Sequence, residues 1–513
     1  MPVETSKDQI CINQIIGQKT ELIDVEGDVI LNDIKPDVKS IISTNGIVSV
    51  YKKEITEGKV RLDGNINTYV IYLTGDNKED VRSLNTTLDF TQFIEIENIK
   101  FGMSLDESVN IKNIECEIIN SRKVNIKANL EVSVRVYSNE SVEVINNIED
   151  IFDIQVLNSE MGISSSVGEG STKVHAKDTI SISVSDDLAE ILKTKIKLVD
   201  KEIKISYNKV LVKADCDMTI MYLTEDNRIS TINSKLPIMG FIDIPNISDD
   251  NICDVKYKLK NFIVKANNIE KHSIYVEAEF EVICFVYETK YINVIEDIYS
   301  TSSNLEYTKK QIKTISNKVK IKELYNITER LLVPEIEENR LYDVAVRPDI
   351  TNIKPQKGKI VFEGEIFLQF LFEFNDVMNT KNMAIPFNFE VMREEIDEFM
   401  NIEPSISVSK ETFVVLGNGN IETEISLELE LNMQTERMID EIEEINAGER
   451  KPDDIYSMVI YFVKPGDTLW KIAKKLRSTI EDIQRINEID DTRKIFEGQQ
   501  LYIPKYQVRN VSI

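Results

Sequence analysis

The sequence predicts a mainly β chain: three tandem β-rich, sandwich-like repeats followed by a small βααβ domain. Three observations carry that reading. A pattern recurs with a period of about 150 residues, apolar and polar side chains alternate over long runs as they do along extended chain, and the C-terminal part switches to helical spacing between two short apolar strands.

The repeat shows first in short matches. Ile71-Tyr-Leu-Thr-Gly-Asp-Asn77 returns as Met221-Tyr-Leu-Thr-Glu-Asp-Asn227, Phe93-Ile-Glu-Ile-Glu-Asn-Ile99 as Phe241-Ile-Asp-Ile-Pro-Asn-Ile247, and Ile148-Glu-Asp-Ile-Phe152 as Ile295-Glu-Asp-Ile-Tyr299. A third copy shows in Gly358-Lys-Ile-Val-Phe-Glu-Gly-Glu-Ile366, which mirrors Gly58-Lys-Val-Arg-Leu-Asp-Gly-Asn-Ile66, and in Arg347-Pro-Asp-Ile350, which mirrors Lys35-Pro-Asp-Val38. The repeats are therefore placed at 35–155, 185–305 and 335–440, after an N-terminal segment 1–34.

Within the first repeat Val60, Leu62, Gly64, Ile66, Thr68, Val70 and Tyr72 share one strand face, with Arg61, Asp63, Asn65 and Asn67 opposite. Val210 to Tyr222 and Ile360 to Phe372 repeat this alternation, and a second alternating strand follows in each copy at Val124–Val136, Ile274–Val286 and Ile421–Met433. Each repeat then reads as two hairpins closing on one core. The Ser/Gly-rich stretch 159–172 and the polar stretch 300–313 read as hinge-like connections. The acidic run 436–454 holds eight acids and three bases, and 441–458 reads as a helical or disordered tether.

In the C-terminal domain, 459–504, Asp467 can cap a helix whose Leu469, Ile472, Ala473 and Leu476 follow helical spacing. Ser478-Thr-Ile-Glu481 has the form of a capping box opening a second helix. The run Tyr461-Phe-Val-Lys-Pro-Gly-Asp-Thr-Leu-Trp-Lys-Ile-Ala473 and the closing Gly498-Gln-Gln-Leu-Tyr-Ile-Pro504 resemble the LysM module. That resemblance implies a shallow groove for N-acetylglucosamine polymers between two loops, here Gly466, Asp467, Thr468, Leu469 and Trp470 on one side and Asn487, Ile495, Phe496 and Gly498 on the other. Glu497 stands where many members have Pro, which alters the groove lip. Gly466 and Asp467 also have a plain reading as turn and cap residues. Trp470 and Phe496 are candidates for an exposed contact surface, with packing as the alternative.

The domain carries eight Lys/Arg against seven Asp/Glu, whereas the whole chain has a formal charge of −27. Lys471, Lys474, Lys475 and Arg477 lie close together on its first helix, as a solvated face or as a docking patch for an acidic partner.

The acidity argues against nucleic-acid binding. The start of the chain lacks the apolar core of a signal peptide, so the protein is expected to stay where it is made. Five widely spaced cysteines without a Cys-x-x-Cys pair read as thiols in a reducing compartment, and Cys216 and Cys284 as core residues. The two histidines, His175 in a connection and His272 in a turn, have no nucleophile motif beside them, no metal-ligand spacing is present, and the Gly-Lys pairs lack the rest of a P-loop. The expectation is a protein that is not an enzyme and needs no cofactor.

Three β-rich repeats with Lys/Arg-Pro-Asp-Val/Ile signatures, joined to a C-terminal LysM, resemble the SPOCS-repeat plus LysM spore coat morphogenetic proteins of spore-forming Firmicutes, closest to the clostridial SipL type. The resemblance implies a scaffold in the mother-cell cytoplasm that reaches the forespore outer surface and the spore coat. Its implied partners are the coat basement ATPase, stage IV sporulation protein A, and other coat proteins, with linked weak sites giving multivalent attachment. The competing expectation is a peptidoglycan-binding LysM cell-wall adaptor.

Overall fold

Alternation becomes burial on the two central strands of each repeat. A computed structural model describes residues 4–75, 80–148, 153–267, 272–337, 340–450, 457–490 and 495–505. The first repeat is built from β1 (Thr5–Ile30), β2 (Val38–Thr56), β3 (Lys59–Thr74), β4 (Val81–Glu95), β5 (Ser104–Asn120) and β6 (Lys123–Ile148). The second has β7 (Ile154–Ser181), β8 (Leu188–Ser206), β9 (Lys209–Thr224), β10 (Ile229–Asp243), β11 (Ile252–Ala266) and β12 (Ser273–Ser300). The third has β13 (Ser303–Leu332), β14 (Leu341–Gln356), β15 (Lys359–Phe374), β16 (Val377–Met392), β17 (Asn401–Gly417) and β18 (Asn420–Arg450).

Each repeat is a pair of three-stranded antiparallel sheets, in the first repeat β2-β3-β4 facing β1-β6-β5. Val60, Leu62 and Ile66 of β3 meet Val124, Ile126 and Leu130 of β6 in one core. The β2-β3, β8-β9 and β14-β15 hairpins turn through Gly58, Asn208 and Gly358, all at positive φ, which glycine and asparagine tolerate best.

The expectation of two hairpins per repeat is corrected to two sheets of three: each repeat adds a third strand to its first hairpin (β4, β10 or β16) and recruits another from a segment read as something else. Residues 1–34 contain β1, the stretch 159–172 lies inside β7, most of 300–313 lies in β13, and 441–450 finishes β18; 451–456 of the tether lie outside the described residues. His175 accordingly sits on strand β7, paired with Glu279, and not in a connection. Two features disguised these strands. Gly168 and Gly170 stand where an added Cβ would come within 3.2 Å of Ile244 and 2.7 Å of Ile242 on the facing sheet, so glycine marks a close approach of sheets here. The register shift at Ile315/Asn317 inserts the unpaired Ser316 into β13 and interrupts its two-residue alternation.

The long strands outrun their sheets. β1 and β6 pair from Ile30↔Lys123 to Thr5↔Ile148, while β5 leaves β6 at Ser104↔Tyr137, so the last part is a two-stranded arm. β7/β12 and β13/β18 make equivalent arms, each with a register shift near its root. An isolated two-stranded ribbon is marginal in water, and the three arms solve this together. Ile10, Ile163, Ile292 and Ile439 join one shared core, and Ile145, Ile295 and Ile442 join another.

At the opposite end Ile71, Leu73, Leu192, Met221, Leu223 and Leu371 form a core common to all three repeats. This accounts for the all-apolar Val70-Ile-Tyr-Leu73 run: Tyr72 is buried within its own repeat while Ile71 and Leu73 face the neighbours.

Ion pairs complete the contacts. Lys258 lies 2.9 Å from Asp106, Lys256 bonds the same carboxylate, Lys53 spans Glu107 and Glu281 at 3.1 and 3.5 Å, and Lys197 meets Glu411 at 3.1 Å. Arg135 meets Glu403, and Lys193 and Lys195 share Asp343. The repeats are thus locked against one another, and the segments expected to act as hinges are strands.

Candidate functional site

The C-terminal domain pairs β19 (Met458–Phe462) antiparallel with β20 (Gln500–Pro504) and packs α1 (Leu469–Leu476) and α2 (Ile480–Asn487) on one face. Val463, Leu469, Ile472, Ala473, Ile483 and Leu501 fill its core. Both caps sit one residue later than the sequence suggested. Thr468 Oγ1 accepts the Lys471 N–H and Thr479 Oγ1 accepts the Asp482 N–H. Asp467 instead closes the preceding turn, accepting the Lys464 N–H at 2.9 Å and the Tyr461 hydroxyl at 2.8 Å, which holds its carboxyl below the usual range.

Val463, which leads into the first expected loop, pairs with Gly498 and Gln499 at the end of the second, but the loop residues divide into different roles. Gly466 and Gly498 are turn residues at positive φ. Asn487 ties α2 to β20, donating to Tyr502 O at 2.7 Å and accepting the Tyr502 N–H at 2.7 Å. Leu469 is core and Ile495 packs against it. Phe496, 70% exposed, stands open at the surface. Residues 491–494 of the second loop lie outside the described residues.

Trp470 and the basic face of α1 are engaged by the repeats. Asp297, near the end of β12, accepts the Trp470 indole N–H at 2.7 Å, the Lys474 ammonium at 2.6 Å and the Tyr307 hydroxyl at 2.6 Å. Tyr299 meets the Trp470 ring edge-on, centroids 4.9 Å apart, and its hydroxyl donates to Ser478 O at 2.7 Å. Arg477 reaches Asn304 at 3.2 Å. Burial opposes ionisation of Asp297, yet the three donors, Lys474 foremost, hold its carboxyl below the usual range; burial pushes the Tyr299 hydroxyl up. Lys471 bonds Gly466 O and Lys475 lies over the Tyr461 ring. The four cations therefore form no common solvent-facing patch: two are committed to the repeats and two to the domain itself.

Asp297, Tyr299, Tyr307 and Asn304 were missed as site residues. Asp297 and Tyr299 stood inside the Ile295-Glu-Asp-Ile-Tyr299 match, which reads as a repeat marker; the detectable signal was an acid and a tyrosine two residues apart, and so on one strand face, in a chain with a basic C-terminal helix.

A second concavity, about 880 Å³, lies between the repeats and is lined by runs from β5, β8, β14 and β17. Edge strands are exposed to unwanted pairing unless blunted. Here Arg347 donates to Lys112 O, Lys195 to Val344 O, and Pro348 and Pro404 interrupt the edges. Its charges are paired, as in Lys112 with Asp349 at 3.3 Å. Cys216 and Cys284 are buried core thiols. Among the described residues no three His, Cys, Asp or Glu side chains gather as a metal site would require, and no helix is long and apolar enough to cross a membrane.

Residues 37–119 and 187–267 match the family model described as SipL, SPOCS domain, and residues 461–504 match the LysM domain. No curated protein matches the chain. The chain thus combines SPOCS and LysM domains, both non-catalytic families, and the first associates it with the sporulation coat.

Proposed function

We propose that this chain, with two matched SPOCS domains and a LysM domain, is a non-enzymatic spore coat morphogenetic scaffold that links the coat basement ATPase, stage IV sporulation protein A, to further coat proteins and so promotes encasement of the forespore. The observation that carries the reading is the SPOCS and LysM combination on one chain. The locked packing of the repeats supports it, because a rigid body presents several surfaces at set separations, which favours simultaneous attachment where geometry matches. The protein works in this reading from the mother-cell cytoplasm on the forespore outer surface.

The test is a pull-down from sporulating cells with the full chain and with a chain lacking residues 459–513, paired with imaging of a fluorescent fusion. Recovery of the basement ATPase by the full chain only, with fluorescence collecting around the forespore, supports the scaffold. Labelling of vegetative cell walls favours a peptidoglycan-binding adaptor, a reading that the exposed Phe496 beside the groove loops keeps in contention. Binding of chitin oligomers to the full chain, lost in Phe496→Ala, would establish it.

A further inference from the structure

The contact between the LysM domain and the repeats has the make-up of a recognition site. Three donors from two segments, Trp470 and Lys474 of α1 and Tyr307 of β13, converge on the single carboxylate of Asp297, and the Ile298 N–H supplies a fourth at 3.0 Å. Tyr299, only 5% exposed, enters the domain's own hydrophobic core alongside Leu469, Ile472 and Ile483. Asp297 and Tyr299 lie two residues apart on β12, so they project from one side of the strand and are presented together. Generic packing of a small domain on a neighbour would not bring an indole N–H, an ammonium and an aromatic edge to one acid–aromatic pair. Aromatic and cationic anchors around a desolvated centre are what carry binding energy at interfaces.

We infer that the face of the LysM domain made by Trp470, Lys474 and Arg477 is a binding surface for an extended acidic protein segment of the form acid-x-aromatic, and that the end of β12 occupies it in cis, so that an outside partner of this chemistry must displace it. The inference rests on reading the LysM domain as the docking element, and it specifies what that element reads. Charge supports the assignment: the domain has a slight excess of base in a chain of formal charge −27, so the surface is complementary to carboxylate-bearing segments, including those of its own chain.

Trp470 is the only tryptophan, so its fluorescence in the full-length chain reports this contact alone. Asp297→Ala and Lys474→Glu change opposite sides of the contact. Each should raise acrylamide quenching of Trp470 by roughly two-fold as the ring loses its polar partner and meets water, while far-UV circular dichroism stays unchanged. The probe is a synthetic peptide of residues 295–300. It should bind the Asp297→Ala chain about tenfold more tightly than wild type, equivalent to about 1.4 kcal/mol of displaced contact, and the peptide bearing Asp297→Asn should bind neither.

Equal quenching in wild type and both variants would overturn occupation in cis. Failure of the peptide to bind the opened chain, or equal binding of the Asp297→Asn peptide, would overturn recognition of the acid–aromatic pair. These readouts need no coat protein, so a failed pull-down beside a positive peptide result sinks the scaffold reading alone, and the opposite pattern sinks this inference alone.

Discussion

The Trp470 indole N–H donates to Asp297 Oδ2 at 2.7 Å across 173 residues of sequence, and with the Lys474–Asp297 and Tyr299–Ser478 contacts it holds the C-terminal domain to the repeats. Replacing Trp470 with Phe keeps an aromatic ring beside Tyr299 but leaves the carboxylate without its indole donor. A hydrogen bond to a charged group contributes about 2 kcal/mol. Trp470→Phe should therefore loosen docking of the domain by about that amount, seen as faster amide exchange in α1, with the unfolding transition of the repeats unmoved.

Asp106 is the anion shared by Lys256 and Lys258 of the next repeat. Removing one partner of a buried ionic cluster strands the others, at a cost of about 3 kcal/mol or more. Asp106→Ala should lower stability by that order in urea titration. The triple replacement Asp106→Ala, Lys256→Met, Lys258→Met should recover much of it, because the stranded cations are gone.

The same carboxylate sets an acid limit. Burial would raise the Asp106 carboxyl, but the ammonium groups of Lys258 and Lys256 outweigh it and bring it to about 2. Its folded value lies below the unfolded one of about 4, so its contribution, roughly 2 kcal/mol, is present above pH 4 and is lost as pH falls from about 4 to about 2. Denaturant midpoints measured across that window should fall more steeply for wild type than for Asp106→Asn.

Gly64 and Gly364 lie opposite Phe90 and Phe387, whereas the equivalent Ala214 lies opposite Ile238. A Cβ at Gly64 would stand 2.4 Å from the Phe90 ring and 2.6 Å from Ser49 O; at Gly364 it would stand 2.4 Å from Phe387 and 2.2 Å from Asp349 O. Gly64→Ala should destabilise by about 1–3 kcal/mol through overpacking, and adding Phe90→Ile should restore part of it. Thermal unfolding of the single and double variants decides this; equal losses would mean that the Ser49 backbone contact dominates.

The central strand of each sheet was legible because burial on one face imposes strict alternation, as along Val60 to Tyr72. The strands β7 and β13 were hidden where that rule lapses, at glycines pressed against a facing sheet and at register shifts that add a residue. Their partners lie from 88 to 147 residues away, so no local pattern announces the pairing. In the LysM domain the helices and turns were legible from spacing. The Asp467 and Ser478 cap assignments missed by one residue because several adjacent side chains can cap and only the backbone angle at Thr468 and Thr479 selects between them.

What the sequence determined alone is the local chemistry: three copies of one alternating β unit, a LysM signature, and an aromatic beside a cluster of cations on α1. What only the tertiary structure decided is which surfaces remain open. Lys474 and Trp470 carry the same side chains whether they face solvent, a partner or their own chain. Pairing of β7 with β12 and packing of the three arms bring Asp297 and Tyr299 to them, and exposure is a property of that distant arrangement rather than of any residue by itself.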